Sequence, residues 1–387
     1  MDQQFPLAQV INAEMVRQHG FDQSPAVVEL LKAYIRGLWT ELDGHEKFEL
    51  LKAQPLRTLK HLEKERDIGR DELEVVVESQ LKDRLQEFGL DFDPVMKLLD
   101  DHSAYITGHF TLSLIDGGYK SNEIDFHIPA VNTGKFIDSM IGMGFSELDK
   151  EESGEGKGHG LVVDSDEDRK DSQWLFQFNS LGQHVRKDDH EPVDCHIPDG
   201  PHARGRYHLI NAAGKRANVI SCEKHALVSI AHFHSTVSMN YIAHHGLVLL
   251  YSDLTLDRIG LSNGGPWDME PHAEQAIQKY KDKGYTITAV YDNEDHTCGG
   301  DPSCPQTIRS LQDVGVWHLR WNTFRSTRTR QIRAYRDARK FIWQLSGGDW
   351  CRGAGGEGTG MVMVNRHCEV IRNHADRERV IRMAEDL

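Results

Sequence analysis

The chain has 387 residues and a formal net charge of −15. This length predicts two closely packed domains or one large elaborated domain. The acidic balance argues against a chain coated with nucleic acid, and we expect no DNA partner, although net charge does not exclude a local basic surface. The six cysteines lack a disulfide-framework spacing, no segment resembles a signal peptide, and no apolar run could cross a bilayer. These features predict a cytoplasmic protein with no membrane partner.

Residues 1–100 have the pattern of a helical region. One predicted helix starts with a cap at Ser24, and a second runs from an acidic turn at Asp71 to a stop at Gly89. No catalytic spacing occurs in this part of the sequence. We therefore predict a layer of helices packed on a sheet.

Residues 101–265 change to short strands separated by turns and helices. Residues 105–129 predict a buried strand, a turn at Gly108 and His109, a helix, and an alternating strand. Side chains two apart in a strand share a face, so Asp125 and His127 are expected to point the same way. The small turn residue and the two polar groups are typical of a site for a phosphate-bearing ligand. Further on, residues 206–221 predict a hairpin, and residues 231–256 predict a buried core element made of a helix and a strand.

Residues 266–387 form the third part, with a helix from Glu274, a stop at Gly284, a strand, and then an arginine-rich segment. The basic residues of that segment are Arg325, Arg328, Arg330, Arg333, Arg336, Arg339 and Lys340. Most of their spacings are three to five residues, so a helix would gather much of this charge along one side. Such a face would either bind the phosphates of RNA or dock through salt bridges.

Neither the cysteines nor the acidic residues between positions 151 and 171 predict a metal site, and no metal ligand is assigned. The cysteines lack the paired short spacing of a zinc site, and the acidic run near residue 166 lacks the alternation of a calcium loop. His232 and His234 are expected to be buried and hydrogen-bonded. The acidic cluster Asp188, Asp189 and Glu191 suits either a general base or a solvated loop.

Several blocks of sequence, taken in order, resemble a large fungal family with a nucleotidyltransferase-like fold. They are TGHFTL, NEIDFHIP, GKRANVIS and HFHSTVSMNYI, where typical members read GSTAL, DLDFYVP, GKKLDVI and FHSTVVMN. The resemblance covers residues 100–325 and implies an α/β fold with a nucleotidyltransferase-like mixed sheet core, an N-terminal helical layer and a C-terminal α/β extension. In such enzymes the glycine lets the backbone approach a triphosphate, and carboxylates hold Mg²⁺.

The chain departs from this pattern at the residues that matter for catalysis. Gly108-His109 lies where the family has Gly-Ser, and Asp125-Phe126-His127 lies where it has Asp-x-Asp. Asn218 lies where it has a third acid. These replacements would weaken Mg²⁺ binding, which depends on carboxylates, phosphates and water. Three interpretations stay open: satisfied polar groups, proton transfer by a histidine, or metal-dependent chemistry with Zn²⁺ or Mn²⁺.

In outline the chain is also similar to fungal arginine-containing cyclodipeptide synthases. That resemblance implies aminoacyl-tRNA as substrate and cyclic dipeptide formation. The group carries a DDxxE motif, and the nearest run here is Asp188-Asp189-His190-Glu191. In this hypothesis the acidic cluster or His109 deprotonates the attacking amine, and the arginine-rich segment holds the tRNA. The chemistry requires no cofactor, and Mg²⁺ is left open. The alternatives are metal-dependent nucleotidyl transfer to a small molecule or RNA, and a non-catalytic nucleotide- or RNA-binding pseudoenzyme.

Overall fold

The structure, a computed structural model, shows a mixed α/β protein built on a large mixed sheet. It describes residues 42–117, 120–148, 177–178, 184–185, 203–223, 225–263, 271–291, 296–323, 341–345, 361–364 and 367–368. Several predicted features lie outside these residues, namely the helix from Ser24, the acidic cluster Asp188, Asp189 and Glu191, and the basic residues Arg325, Arg328, Arg330, Arg333, Arg336, Arg339 and Lys340. No helix in the described part of the chain is long and apolar enough to cross a membrane.

Four helices make up the described part of the N-terminal region. They are α1 (Gly44–Lys52), α2 (Leu56–Lys64), α3 (Arg70–Gln86) and α4 (Phe92–His102). The Asp43 carboxylate caps α1 by accepting from two backbone amides of its first turn. Helices α3 and α4 contact strands of the main sheet, which confirms the predicted helical layer over this range.

The strands follow the N-terminal helices along the chain. They are β1 (Tyr105–Thr107), β2 (Glu123–Pro129), β3 (Phe145–Glu147), β4 (Gln177–Phe178), β5 (His184–Val185), β6 (Ala203–Asn211), β7 (Arg216–Cys222), β8 (Asn240–Ala243), β9 (Gly246–Leu249), β10 (Ile259–Leu261), β11 (Thr286–Thr288), β12 (Arg309–Ser310), β13 (Trp317–Arg320), β14 (Ile342–Gln344), β15 (Met361–Val364) and β16 (His367–Cys368). The remaining helices are α5 (Gly108–Asp116), α6 (Thr133–Gly142), α7 (Ala226–Ala231), α8 (Ser252–Leu256) and α9 (Pro271–Lys281).

Eight of these strands form the main sheet in the order β13-β9-β8-β1-β2-β7-β6-β3. Every neighbouring pair is antiparallel except β2 and β7, which run parallel. The predicted hairpin within residues 206–221 is confirmed as β6 and β7. Strand β13 comes from the third part of the chain, so this sheet unites segments far apart in sequence. Helix α5 packs between the sheet and helices α2 and α3.

The predicted buried helix and strand within residues 231–256 are confirmed only in part, because two strands lie there and the helix, α8, is a single short turn at the end of the segment. A short 3-10 turn (Thr236–Ser238) is followed there by the hairpin β8–β9, with His244 and His245 at its tip. All residues of both strands are buried, and a continuous apolar run cannot be told from a buried helix by periodicity. Gly246 supports the pairing of β9 with β13, because a Cβ there would lie 2.1 Å from the Leu319 carbonyl oxygen.

One buried acid joins the helical layer to the end of β13. Glu78 on α3 is 2% exposed and accepts hydrogen bonds from the backbone amides of Asn322 and Thr323, the Thr323 hydroxyl, and Lys82 at 2.7 Å. Burial opposes ionisation of Glu78, but these hydrogen bonds outweigh it and lower the pKa from its ordinary value of 4.5.

We expect Glu78→Gln to reduce the free energy of unfolding at pH 7 by about 1–3 kcal/mol, since charged hydrogen bonds are lost. A lowered folded-state pKa contributes stability that is complete above pH 4.5 and is lost as the pH falls through the folded-state value. The difference between variant and wild type should therefore shrink as the pH falls below 4.5 and should be smaller at pH 3 than at pH 7, as measured by urea denaturation. Glu72→Gln on the exposed face of the same helix is the control. An equal effect at both pH values would contradict the prediction.

Candidate functional site

The turn between β1 and α5 can form because residue 108 is glycine. Gly108 has a φ of +68°, and a Cβ at this position would lie 2.2 Å from Asp125 Oδ2. The residue before it, Thr107, is paired with Asp125 in the β1–β2 register. The Asp125 carboxylate therefore packs against the backbone at the first residue of α5.

Two carboxylates of β2 share one amide of the parallel strand β7. Asn218 lies opposite Asp125 in the register, and its Nδ2 donates to Asp125 Oδ1 at 2.7 Å and to Glu123 Oε2 at 3.3 Å. The Asn218 Oδ1 atom lies 2.9 Å from Nδ1 of His208 on β6, so a ring N–H there orients the amide. We call Glu123 and Asp125 the carboxylate pair, and the Asn218 amide bridges them.

The environments of the two acids push their pKa values apart. Nδ1 of His109 lies 3.8 Å from Glu123 Oε1, which is too long for a good hydrogen bond and makes an ion pair only when the ring is protonated. This contact is the main reason that the pKa of Glu123 falls to about 2, with the Asn218 amide also lowering it and burial opposing. For Asp125, burial raises the pKa, and the charge of Glu123 adds to the rise, while Arg206 and Asn218 oppose it. Glu123 is therefore the more strongly ionised member of the pair.

His127 lies on the same face of β2 but in a different environment. It is 2% exposed, its Nδ1 lies 3.7 Å from Sγ of Cys222, and its ring meets Phe233 edge-on at 5.2 Å. Burial lowers the pKa of His127 to about 3, which keeps the ring neutral at physiological pH. These contacts are those of a core histidine.

The structure thus brings together four of the predicted residues, Gly108, His109, Asp125 and Asn218. It adds Glu123, which the sequence argument did not consider. The signal for Glu123 was present, because a strand that places residues 125 and 127 on one face also places residue 123 there.

Aromatic rings lie beside the carboxylate pair. Tyr280 of α9 lies with its ring 5.2 Å from that of His109 and 5.4 Å from that of His234. Burial raises the pKa of Tyr280 to about 12 and lowers that of His234 to about 4, so both side chains are neutral at pH 7. Ser238 contacts both side chains, with its Oγ 3.3 Å from Nε2 of His234. His232 and His234, which were predicted to be buried, are both half-buried, and a ring nitrogen of His232 lies 2.8 Å from the Val228 carbonyl oxygen.

A cleft of about 620 Å³ opens beside Glu123 at the start of β2 and β7. Its lining residues are His109, Lys120, Ser121, Asn122, Glu123, Ala213, Gly214, Lys215, Arg216 and Lys283. Four cations and one carboxylate therefore face this space on a chain whose overall charge is −15. Burial lowers the pKa of Lys283, and the charge of Glu123 opposes that change. A cleft of this composition favours an anionic ligand.

No protein-family model matches the chain, and neither the comparison with curated proteins nor that with solved structures found a match. The functional argument therefore depends on the geometry of the site. Its components are two acids bridged by an amide, a glycine turn, a histidine and a cationic cleft.

Proposed function

We propose that the chain is a nucleotidyltransferase-like enzyme that binds a nucleotide in the cationic cleft and transfers its nucleotidyl group to a small molecule or RNA. The observation that carries this proposal is the position of Glu123 at the wall of a cleft lined by four cations, with Asp125 joined to it through the Asn218 amide. Paired carboxylates beside a phosphate-binding surface are the basic requirement of such transfer. The order of β1, the Gly108 turn, α5, β2 and parallel β7 supports a nucleotidyltransferase-like core.

The donor set at the carboxylate pair fits Mg²⁺. Glu123 and Asp125 offer the oxygen ligands that this ion prefers, and the N–H groups of Asn218 that now lie between them mark a place for positive charge that the ion would take over. Glu123 and Asp125 would hold the ion. When bound, Mg²⁺ would neutralise negative charge on the phosphate oxygens.

The other residues of the site bind and orient the substrate. Lys215, Arg216 and Lys283 would attract the phosphates, and the Gly108 turn lets backbone N–H groups at the start of α5 approach them. His109 also lines the cleft, next to the ionised Glu123, where it can accept a proton from an attacking hydroxyl or amine.

Aminoacyl-tRNA-dependent formation of a cyclic dipeptide is the second candidate. The pairing of His109 with Glu123 favours it, because a histidine beside an ionised acid suits deprotonation of an α-amine. The aminoacyl ester is already activated, so this reaction needs no metal. The arginine-rich segment as the tRNA-binding surface remains a prediction.

Two assays on the purified chain separate these functions. α-Labelled nucleoside triphosphates with Mg²⁺ should yield labelled acceptor, and chelation should stop the reaction. If mass spectrometry instead finds cyclic dipeptides that require aminoacyl-tRNA and vanish with RNase, the second candidate replaces the first. Nucleotide binding without transfer to any acceptor would leave the pseudoenzyme alternative.

Neutralising the cleft should weaken nucleotide binding. We expect Lys215→Gln combined with Arg216→Gln to raise the Kd for a nucleoside triphosphate about tenfold at low salt, because two charges that attract the phosphates are removed. Fluorescence titration at two salt concentrations checks this, and the loss should shrink as added salt screens the cleft. Lys97→Gln on α4, which lies outside the cleft, is the control. Unchanged affinity in the double variant would show that the nucleotide does not bind in this cleft.

A further inference from the structure

The connector of residues 296–308, which precedes β12, folds so that three soft ligands meet. A ring nitrogen of His296 and the sulfurs of Cys298 and Cys304 all lie within 4.8 Å of one another. Among the residues that the structure describes, no other set of three or more histidine, cysteine or acidic side chains meets this criterion. The sequence did not predict this cluster, because the spacing His-x-Cys-x₅-Cys lacks the short paired cysteines of common zinc motifs.

The distance between the two sulfurs matches a shared metal ion. Sγ of Cys298 lies 3.9 Å from Sγ of Cys304. Tetrahedral zinc with Zn–S bonds of about 2.3 Å places two sulfurs roughly 3.8 Å apart. A disulfide would require a separation of about 2.05 Å, and so a movement of both side chains.

Hydrogen bonds within the connector hold these ligands in place. The Cys304 amide donates to the Asp301 carbonyl at 3.0 Å, and the Asp301 carboxylate accepts from the Ser303 amide at 2.7 Å. The next carbonyl along the chain, that of Pro302, accepts from the buried Arg309 guanidinium. The connector is therefore fixed to the core without any metal, and such preorganisation favours binding.

We propose that His296, Cys298 and Cys304 bind one Zn²⁺, with water as the fourth ligand. One imidazole and two thiolates are a soft donor set that suits zinc, unlike the all-oxygen pair Glu123 and Asp125, which suits Mg²⁺. Cys304 is buried, whereas Cys298 is exposed, so the fourth position faces solvent on the side of Cys298. This site is independent of the proposed transfer reaction.

Metal analysis of the full-length chain tests the proposal. The protein is purified with a phosphine reductant, incubated with zinc and dialysed extensively. We then expect one zinc per chain by elemental mass spectrometry. Cobalt(II) in place of zinc should give the visible bands of a tetrahedral ion and a thiolate charge-transfer band in the near ultraviolet. Binding should weaken as the pH falls, because both thiols must lose their protons.

Single substitutions locate the site. His296→Gln and Cys298→Ser change residues that are not fully buried, and each should lower zinc content to well below half an equivalent while circular dichroism stays unchanged. Cys222→Ser, which alters a buried cysteine elsewhere, should keep the full equivalent.

Three outcomes would overturn the inference. They are a wild-type chain with no zinc after loading, zinc content unaffected by both substitutions, and a peptide map of protein kept under reductant in which Cys298 and Cys304 are joined by a disulfide.

Discussion

Asp125→Asn and Glu123→Gln are each expected to lower kcat/KM for nucleotidyl transfer by about 10²–10³-fold, the size of effect seen when one electrostatic partner of a transition state is removed. Each substitution keeps the shape of the side chain and replaces one carboxylate of the pair by a neutral amide. Each also leaves the Asn218 amide with one neutral acceptor in place of a carboxylate. Steady-state kinetics with a labelled nucleotide measure the effect, and nucleotide affinity in the absence of Mg²⁺ should change far less.

His127→Gln is the informative contrast, because it lies on the same face of the same strand. His127 is buried against Cys222 and Phe233, so this substitution should lower the melting temperature and leave kcat within about twofold wherever the protein remains folded. The opposite pattern, with Glu123→Gln fully active and His127→Gln inactive, would restore Asp125 and His127 as the functional pair. It would also refute the proposed carboxylate pair.

The alternation of β2 could be predicted from sequence, but the identity of the functional pair could not. In a strand of period two, residues 123, 125 and 127 are equivalent by pattern alone. They become different through their neighbours, because Asn218 reaches Glu123 and Asp125, while Cys222 and Phe233 enclose His127. Which residues of β2 belong to the site depends on which strands and helices pack beside this strand. The local sequence does not encode that packing.

The more distant members of the site show the same limit. Tyr280 comes from a helix more than 150 residues after the Gly108 turn, yet its ring lies 5.2 Å from that of His109. The helix and its stop at Gly284 were predicted correctly, because caps and periodicity are local signals. Its docking on the site arises from burial of Tyr280 and Ile277 in the main core, and this depends on the whole fold.

The cysteine connector gives a third example. Cys298 and Cys304 are six residues apart, a spacing that in an extended chain would keep their sulfurs far from each other. A compact turn centred on Asp301 brings them to 3.9 Å. Motif spacing captures only those ligand sets in which the intervening backbone has a familiar shape, and this turn is not one of them.

Gly108→Ala should reduce both stability and activity, and the two losses have separate causes. A non-glycine residue in the left-handed region costs about 1–2 kcal/mol, and the observed φ is +68°. In addition, the new methyl group would lie 2.2 Å from Asp125 Oδ2, so the carboxylate must move away from the Asn218 amide. Urea denaturation measures the first effect, and transfer kinetics well below the melting temperature measure the second.

Gly134→Ala is the matched control, because this glycine lies in α6 with no atom within 4 Å of an added Cβ. It should leave activity unchanged and stability equal or slightly higher, since alanine favours a helix. If Gly108→Ala lowered stability while kcat stayed at the wild-type value, the position of Asp125 against the turn would have no part in the reaction. Catalysis would then depend on Glu123 and the cationic cleft and would not require the precise position of Asp125.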